Sequence, residues 1–189
     1  RIQGLRIFCE YRDKRSFPLL LPLLDQPCPV ERMSAVYALG RNPCPSAVQK
    51  LVSLLETDDN AYVRRATAWS LANYDNQIVL KPLINALKND VAAVRLWSSS
   101  SLAEIGNVSS KNAELAAEQL LISLKIDNES GVRSNCIWSL CRLFEKLNNT
   151  FQECFVDECT KIALFDKEPS VMEEAKTALD SMGMQGFYN

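Results

Sequence analysis

A short residue pattern that recurs along the chain limits how this protein can fold. In the copy at residues 62–72, an arginine is followed by small residues three and six positions later and by a leucine seven positions later. This spacing places the small residues and the leucine on one narrow face of an α-helix, which can therefore pack closely against a neighbouring helix. The four full copies are Arg32, Ala35, Ala38 and Leu39; Arg64, Thr67, Ser70 and Leu71; Arg95, Ser98, Ser101 and Leu102; and Arg133, Cys136, Ser139 and Leu140.

Two further copies of the pattern are incomplete. The last copy has a methionine in place of the arginine, and the first copy begins at the first residue of the sequence. Their residues are Met172, Ala175, Ala178 and Leu179, and Arg1, Gly4, Ile7 and Phe8. Successive copies lie 31 to 39 residues apart, an interval typical of proteins built from stacked copies of one supersecondary unit.

A leucine-rich segment precedes each later copy and ends near an aspartate. The arginine, or the methionine that replaces it, follows that aspartate by five to seven residues. The aspartates are Asp25, Asp58, Asp90, Asp127 and Asp166. Because long periodic segments with short connections form antiparallel helical hairpins, the sequence predicts such hairpins stacked side by side. The predicted fold class is all-α: a right-handed α-solenoid of about five and a half helical hairpins.

We predict a single repeat array over residues 1–189. Residues 1–13 are predicted to form the second helix of an incomplete repeat, and we expect the natural protein to extend further toward its N-terminus, because a solenoid end needs a polar cap. The predicted repeats are 14–42, 43–75, 76–106, 107–147 and 148–183, followed by a tail at 184–189. The last two repeats are longer, and we predict that their extra residues form lengthened turns at 106–112 and 148–150.

The composition excludes several classes of function. The chain has no histidine, so it contains neither a Ser–His or Cys–His catalytic pair nor a histidine-ligated zinc site. A formal net charge of −2 argues against general nucleic-acid binding, which needs many cations to neutralise phosphates. No glycine-rich phosphate loop occurs, and no apolar run approaches the roughly 18 residues of a membrane span. We therefore expect a protein that binds neither nucleic acid nor a membrane. If it is an enzyme, it acts by binding and orientation and not by a recognisable catalytic triad.

Seven cysteines, an odd number, lie mostly at helix positions that favour small residues. This usage predicts reduced thiols and a cytoplasmic location. Four of the cysteines, on two predicted helices that should pack together, could hold zinc or an iron–sulfur cluster. They are Cys136 and Cys141 on one helix and Cys154 and Cys159 on the next. Because each pair is spaced five residues apart, its two thiols point in diverging directions, and we predict no metal site.

The order of an aspartate, a Val-Arg pair, small residues and a leucine resembles the HEAT repeats, in particular the short HEAT-like repeats of the cyanobacterial phycobilin lyase group. Residues 62–64 and 94–95 match the motif closely, residues 31–32 lack the valine, and residues 171–172 lack the arginine. The resemblance covers essentially the whole chain. It implies that aspartates and arginines bond along the stack as a structural ladder and take no part in catalysis. The ladder residues are Asp58, Arg64, Asp90, Arg95, Asp127 and Arg133.

In HEAT-like stacks the second helices line a concave groove. On these helices the positions two, five and nine after the arginine share a face away from the small-residue stripe. The aromatic residues at these positions are Tyr37, Trp69, Trp97 and Trp138, and the polar residues predicted to flank them are Arg41, Arg65, Asn73 and Arg142. We predict that they line the groove and bind a partner or ligand, since aromatic and arginine side chains are the usual anchors of interfaces. The alternative is that the tryptophans pack between repeats.

The resemblance implies several functions. We expect a scaffold or chaperone-like adaptor that binds another protein in its groove without a cofactor. One alternative is a bilin lyase-type subunit that holds a linear tetrapyrrole for attachment to a phycobiliprotein, because aromatic rings stack on bilins as well as on side chains. A further alternative is an adaptor in iron–sulfur cluster assembly whose partner is an A-type iron–sulfur carrier.

Overall fold

The computed structural model describes residues 7–8, 10–74, 77–184 and 186. Within these ranges the secondary structure consists of helices, and no β-strand occurs. Ten α-helices lie entirely within the described residues: α1 Phe17–Leu20, α2 Pro29–Arg41, α3 Val48–Thr57, α4 Ala61–Leu71, α5 Leu80–Asn89, α6 Ala92–Gly106, α7 Ser110–Ile126, α8 Ser130–Leu143, α9 Asn149–Phe165 and α10 Pro169–Ser181. Short 3₁₀-helices span Lys14–Ser16, Leu21–Asp25, Pro45–Ala47, Gln77–Val79 and Phe144–Lys146. The predicted all-α fold class is confirmed.

The chain divides into two compact units, Arg1–Ser101 and Leu102–Asn189, and the division falls within α6. In the first unit, α4 packs against both α2 and α3, and α3 packs against α5. In the second unit, α8 packs against α7 and α10, and α9 packs against α10. Leucine-rich helices therefore alternate in each unit with the helices that contain the repeat pattern, as the sequence predicts. We call α2, α4, α6 and α8, which contain the repeat arginine, the arginine helices. The boundaries of the individual repeats and the single array through both units stay predictions.

The stripe of small residues forms the contact surface of the arginine helices. The small residues of all four full copies are at most 1% exposed. Hydroxyl groups in this stripe bond to backbone carbonyl groups. Thr67 Oγ1 donates to Val63 O at 2.8 Å, Ser101 Oγ donates to Ala68 O on α4 at 2.7 Å, and Ser139 Oγ donates to Asn135 O at 2.8 Å. Small side chains let neighbouring helices approach closely, so the predicted packing face is confirmed.

The leucine-rich helices contain the extra residues of the longer repeats. Helices α3 and α5 have 10 residues each, whereas α7 and α9 have 17 residues each. The difference of seven residues corresponds to about two turns of α-helix. The prediction that the extra residues form lengthened turns at 106–112 and 148–150 is therefore wrong, because most of both segments is helix or a short cap.

Both ends of the chain fall partly outside the described residues. Residues 7, 8 and 10 are helical, in agreement with the helix predicted over 1–13. Residues 1–6 and 9 of that helix lie outside the described residues. The same holds for residues 185 and 187–189 of the predicted tail. The side chain of Asn42, just after α2, joins the N-terminal segment to the first unit. Its Nδ2 donates to Phe8 O at 2.6 Å, and its Oδ1 accepts a bond from Asp13 N at 3.0 Å.

Bidentate ion pairs connect consecutive hairpins of the first unit. Arg32 on α2 donates from Nε and Nη2 to the two carboxylate oxygens of Asp58 at 2.7 and 2.8 Å. Arg64 on α4 forms the same pair with Asp90 at 2.8 and 2.7 Å. The Nη1 atom of each arginine donates to its own preceding turn, to Gln26 O at 2.8 Å and to Asp58 O at 2.7 Å. Each arginine therefore fixes two turns at once.

The second unit contains an equivalent pair. Arg133 on α8 donates to both carboxylate oxygens of Asp166 at 3.0 and 2.7 Å, and its Nη1 donates to Asp127 O at 2.9 Å. In the first unit, Arg95 also donates to the turn before its helix, at Asp90 O, over 2.8 Å. Sequence reasoning omitted Arg32 and Asp166 from the ladder, because it did not establish that each arginine pairs with the aspartate of the following repeat.

The aspartates also organise the turns in which they lie. Asp58 Oδ1 accepts a bond from Asn60 N at 2.9 Å, and Asp166 Oδ1 accepts one from Glu168 N at 2.9 Å. Burial alone would raise the pKa of each carboxyl group, but the arginine and backbone N–H bonds outweigh it and lower the pKa below the usual value. Both aspartates are therefore ionised at neutral pH and hold their arginines as full ion pairs.

We expect Arg64→Ala to lower the free energy of unfolding by about 1–3 kcal/mol, because it leaves the largely buried carboxylate of Asp90 without its charged partner. Urea denaturation followed by circular dichroism measures this change. Arg15 pairs with Asp13 but has a side chain that is 91% exposed, so Arg15→Ala is the matched control and should change stability by less than about 1 kcal/mol. Equal effects of the two substitutions would show that the buried pair has no special structural role.

Candidate functional site

Equivalent positions of α2 and α4 form one side-chain surface in the first unit. On each helix the residues are spaced three, four and four positions apart, so they lie on the same side of the helix. They are Val30, Met33, Tyr37 and Arg41 from α2, and Tyr62, Arg65, Trp69 and Asn73 from α4 and the residues just after it. Each of these eight residues is exposed or half-buried. We call this surface the aromatic–arginine face.

Trp69 occupies the centre of this face. Its ring centroid lies 5.3 Å from that of Tyr37, and the two rings are tilted by 54°. The guanidinium carbon of Arg41 lies 5.2 Å from the Trp69 ring centroid, within range of a cation–π interaction. Two helices thus supply one contiguous group of aromatic and cationic side chains.

Arg65 is held by aromatic neighbours. Its guanidinium carbon lies 5.6 Å from the ring centroid of Tyr62, and its Nη2 donates to the hydroxyl oxygen of Tyr37 over 3.4 Å. Its Nε is enclosed and has no hydrogen-bond partner. Within the described part of the chain, neither Arg65 nor Arg41 forms an ion pair. The two charges are therefore not neutralised on this face.

A small cavity opens at the end of the face formed by the first turns of α2 and α4. Its volume is about 230 Å³. Its lining consists of Pro29, Val30, Met33, Asn60, Tyr62 and Arg65. The lining combines apolar side chains with one cation and includes no carboxylate. Asn60 Oδ1 already accepts bonds from Tyr62 N at 2.9 Å and Val63 N at 3.4 Å as the N-cap of α4, so Arg65 is the charged group of this cavity.

The other predicted groove residues of the first unit have less definite roles. Asn73 is exposed just beyond α4, and its Nδ2 donates to Ser70 O over 3.4 Å at the helix end. Trp97 on α6 is 37% exposed, so it is not a buried core residue. Both remain candidates for contact with a partner.

The second unit has a smaller aromatic–cation pair on α8. Trp138 is 40% exposed, and the guanidinium carbon of Arg142 lies 5.0 Å from its ring centroid. Arg142 also forms an ion pair with Glu104 at 2.9 Å. Its charge is therefore locally compensated, unlike the charges of Arg41 and Arg65. A single groove through the aromatic residues of both units stays a prediction.

The family is shown by two overlapping sequence matches. The family model described as HEAT repeats matches residues 1–72 and 48–141, which together span residues 1–141 of the 189 in the chain. The chain belongs to the HEAT repeat family. No curated protein matches the sequence of this HEAT repeat protein.

Solved structures with similar folds include natural and designed repeat proteins. The complex of CpcE and CpcF of phycocyanin lyase from Nostoc sp. PCC7120 matches with a TM-score of 0.70 and 22% identity, over 88% of this chain and 99% of that chain. A designed armadillo repeat protein in complex with the peptide (KR)4 matches with a TM-score of 0.67 and 19% identity, over 100% and 91%. Human deoxyhypusine hydroxylase in complex with glycerol matches with a TM-score of 0.55 and 17% identity, over 99% and 78%.

The four candidate thiols of this HEAT repeat protein lie in different environments. Cys136 and Cys159 are buried, whereas Cys154 is exposed. Burial raises the pKa of Cys141 to about 11 and also raises the pKa of Cys159, so both thiols stay protonated at neutral pH. Among the described residues, no group of three or more His, Cys, Asp or Glu side chains is placed to hold a metal ion.

Sequence reasoning missed the end of the face nearest the N-termini of α2 and α4. Val30 and Tyr62 lie two positions before an arginine of the repeat, and Met33 lies one position after it. Tyr62 is 66% exposed, which makes it the most exposed aromatic residue of the face. Helical spacing in the sequence indicates this residue, because residue 62 lies three positions, or about one helical turn, before Arg65 on the same side of the helix. The positions two, five and nine after each arginine lie toward the C-terminus of the helix and do not include residue 62.

In the described ranges, no helix has both the length and the apolar character that are needed to cross a bilayer.

We expect Gly40→Ala to disturb both the helix contact and the face. A Cβ at Gly40 would lie 2.6 Å from Cζ3 of Trp69 and 3.2 Å from Cα of Ser70, so the indole must move and the backbone of α4 must shift. Overpacking of this kind costs roughly 1–3 kcal/mol. The free energy of unfolding should fall accordingly, and the fluorescence emission of Trp69 should shift to longer wavelength as the ring becomes more exposed.

Gly106→Ala is the control for this substitution. A Cβ there would meet the side-chain ends of Leu143 at 3.0 and 3.2 Å, which can give way more easily than a backbone atom. Its effect on stability should be smaller than that of Gly40→Ala. An equal or larger loss in Gly106→Ala would contradict the close contact between Gly40 and α4.

Proposed function

We propose that this HEAT repeat protein is a non-catalytic scaffold that binds a partner protein through its aromatic–arginine face. The observation that carries the proposal is the group formed by Tyr37, Trp69, Arg41 and Arg65, whose aromatic and cationic side chains contact one another and are exposed or half-buried. Tryptophan, tyrosine and arginine dominate the binding energy of protein interfaces. Trp69 has the central position in which such anchors occur.

The arrangement of the face favours binding over catalysis. It contains no carboxylate, thiol or imidazole that could transfer a proton or attack a substrate. Its side chains are fixed before binding: Trp69 by Tyr37 and Arg41, and Arg65 by Tyr62. A surface that is ordered in advance loses less conformational entropy when a partner binds.

The solved structures with similar folds are consistent with this function. CpcE and CpcF form a complex of two proteins, and the designed armadillo repeat protein is in complex with a peptide. Stacked helical repeats of this kind therefore support recognition of other polypeptide chains. The side chains on the surface of this chain, and not its fold, determine which partner it binds.

We expect Tyr62→Ala to weaken partner binding by about 2 kcal/mol while changing the melting temperature little, because Tyr62 is an exposed part of the face. Trp69→Ala should weaken binding at least as much, with some loss of stability from the contacts of its ring. Affinity capture from lysate followed by mass spectrometry measures retention by wild type and by each variant. Proteins retained by wild type and lost from both variants are the expected result.

Phe165→Ala is the matched control for the capture experiment. Phe165 is an aromatic residue of the second unit that is 79% exposed, but it is not part of the aromatic–arginine face. Loss of this residue should leave capture unchanged. If the Tyr62→Ala and Trp69→Ala variants retain the same proteins as wild type, or if Phe165→Ala loses them equally, the proposed function is wrong.

A second candidate function is supported by the likeness to the CpcE–CpcF complex, which extends over 99% of that chain. In this case the face would hold a linear tetrapyrrole, with aromatic rings stacked on its pyrroles and Arg41 or Arg65 bound to its carboxylates. The cavity of about 230 Å³ is smaller than the roughly 300–1,000 Å³ of small-molecule pockets, so a bilin would lie along the face.

Mixing the protein with free phycocyanobilin distinguishes the two functions. A scaffold should leave the absorption spectrum of the chromophore unchanged, whereas a shift that Trp69→Ala abolishes would favour the bilin function.

A further inference from the structure

We infer that the aromatic–arginine face selects an acidic partner segment, with an apolar side chain bound in the cavity beside Arg65 and carboxylates bound to Arg65 and Arg41. This inference rests on the proposed function and adds the chemistry of the partner. The motif would be an extended stretch in which acidic and bulky apolar residues lie two positions apart, so that their side chains are on the same side of the segment.

The charge of the face is the first argument. Arg32 and Arg64, on the same two helices, are neutralised by bidentate aspartates, and Arg142 in the second unit is paired with Glu104. Arg41 and Arg65 have aromatic contacts but no ion pair in the described part of the chain. The whole first unit contains 13 Lys and Arg residues against nine Asp and Glu residues. A segment with negative charge is therefore complementary to this face.

The geometry of Arg65 is the second argument. Its Nε is enclosed without an acceptor, and its bond to the Tyr37 hydroxyl is long at 3.4 Å. Nε is enclosed, so a partner carboxylate would bind to the two Nη atoms, which have no acceptor among the described residues apart from the Tyr37 hydroxyl. The Tyr62 ring fixes their position. A planar guanidinium that is held in place binds a carboxylate in a bidentate manner. This arrangement favours Asp or Glu over a neutral hydrogen-bond acceptor.

The cavity is the third argument. Pro29, Val30 and Met33 supply an apolar wall, and Tyr62 closes the side next to Arg65. The volume of about 230 Å³ is too small for a typical cofactor but suits the side chain of one large residue. Methionine adapts its shape to the group that it contacts, so leucine, isoleucine and phenylalanine all remain possible occupants. Because Arg65 borders this cavity, an apolar residue and an acidic residue of the partner would bind next to each other.

Charge also identifies a peptide that should be rejected. A basic peptide such as (KR)4, which is in complex with the designed armadillo repeat protein, would bring like charges against Arg41 and Arg65. Like-charge contacts across an interface suppress binding of the wrong partner. A shared fold with that designed protein therefore does not imply a shared specificity.

The test uses three short synthetic peptides with a fluorescent label and measures polarisation with the full chain. One peptide repeats glutamate, serine, leucine and serine, so that glutamate and leucine lie on the same side of an extended chain. The second replaces glutamate by lysine, and the third replaces leucine by serine. We expect the glutamate–leucine peptide to bind at least about tenfold more tightly than either of the others. Raising the salt concentration should weaken its binding, because exposed ion pairs are screened.

Variants of Arg65 test the residue directly. Arg65→Ala should raise the Kd of the glutamate–leucine peptide at least about tenfold, and Arg65→Lys should raise it less, because a lysine keeps the charge but not the bidentate geometry. Arg15→Ala, which removes an exposed arginine paired with Asp13, should leave the Kd unchanged. Circular dichroism tests whether each variant is folded. If Arg65→Ala does not fold, the comparison of Arg65→Lys with wild type still tests the role of the guanidinium.

Two results would overturn the inference. One is equal affinity for the glutamate–leucine and lysine–leucine peptides, and the other is an unchanged Kd in a folded Arg65 variant. If either result occurs while Tyr62→Ala still abolishes capture of a partner protein, the acidic motif is wrong and the scaffold function stands. If capture also survives Tyr62→Ala and Trp69→Ala, the proposed function itself fails.

Discussion

Each hairpin stack depends on a bidentate ion pair between an arginine of one repeat and the aspartate of the next. Arg64 shows the geometry: two nitrogens bond to Asp90, and the third bonds to the carbonyl of the turn before α4. A buried pair of this kind adds little net stability when it is complete, but loss of one partner leaves an uncompensated charge. The main effect of the pair is therefore to fix the register in which one hairpin stacks on the next, because a hairpin stacked one turn out of place would leave its aspartate without an arginine.

The register set by these pairs determines the functional surface. With α2 and α4 fixed side by side, Tyr37 meets Trp69. At the other end of the face, Val30 and Tyr62 line the same cavity. The absence of a side chain at Gly40 lets the indole of Trp69 lie against α2. The arginines that pair with aspartates and those that we propose to bind a partner thus lie on different sides of the same helices, and a carboxylate accompanies only the first set.

The sequence was sufficient for the fold and for part of the site. The spacing of arginine, small residues and leucine predicted which side of each helix is buried, because helical periodicity alone decides this. The same spacing placed Tyr37, Trp69 and Arg65 on the open side. It could not show that Arg32 pairs with Asp58, since that depends on how repeats stack. The cavity near Tyr62 requires the distance between two helices, and the protonated state of Cys159 requires its burial; neither quantity is encoded in local spacing.

The two lengths of the leucine-rich helices have a consequence for how such chains can change. Arg64 and Asp90 are 26 positions apart, whereas Arg133 and Asp166 are 33 apart, and the two pairs have the same bidentate geometry. The seven additional residues amount to two helical turns, so they lengthen the hairpin without rotating its buried side. Insertions of this size are therefore compatible with the ladder, whereas insertions of one or two residues in the same helix would turn leucines toward solvent. Recombination between short and long repeats can thus yield arrays whose hairpins differ in length but keep the same arginine–aspartate pairing between consecutive repeats.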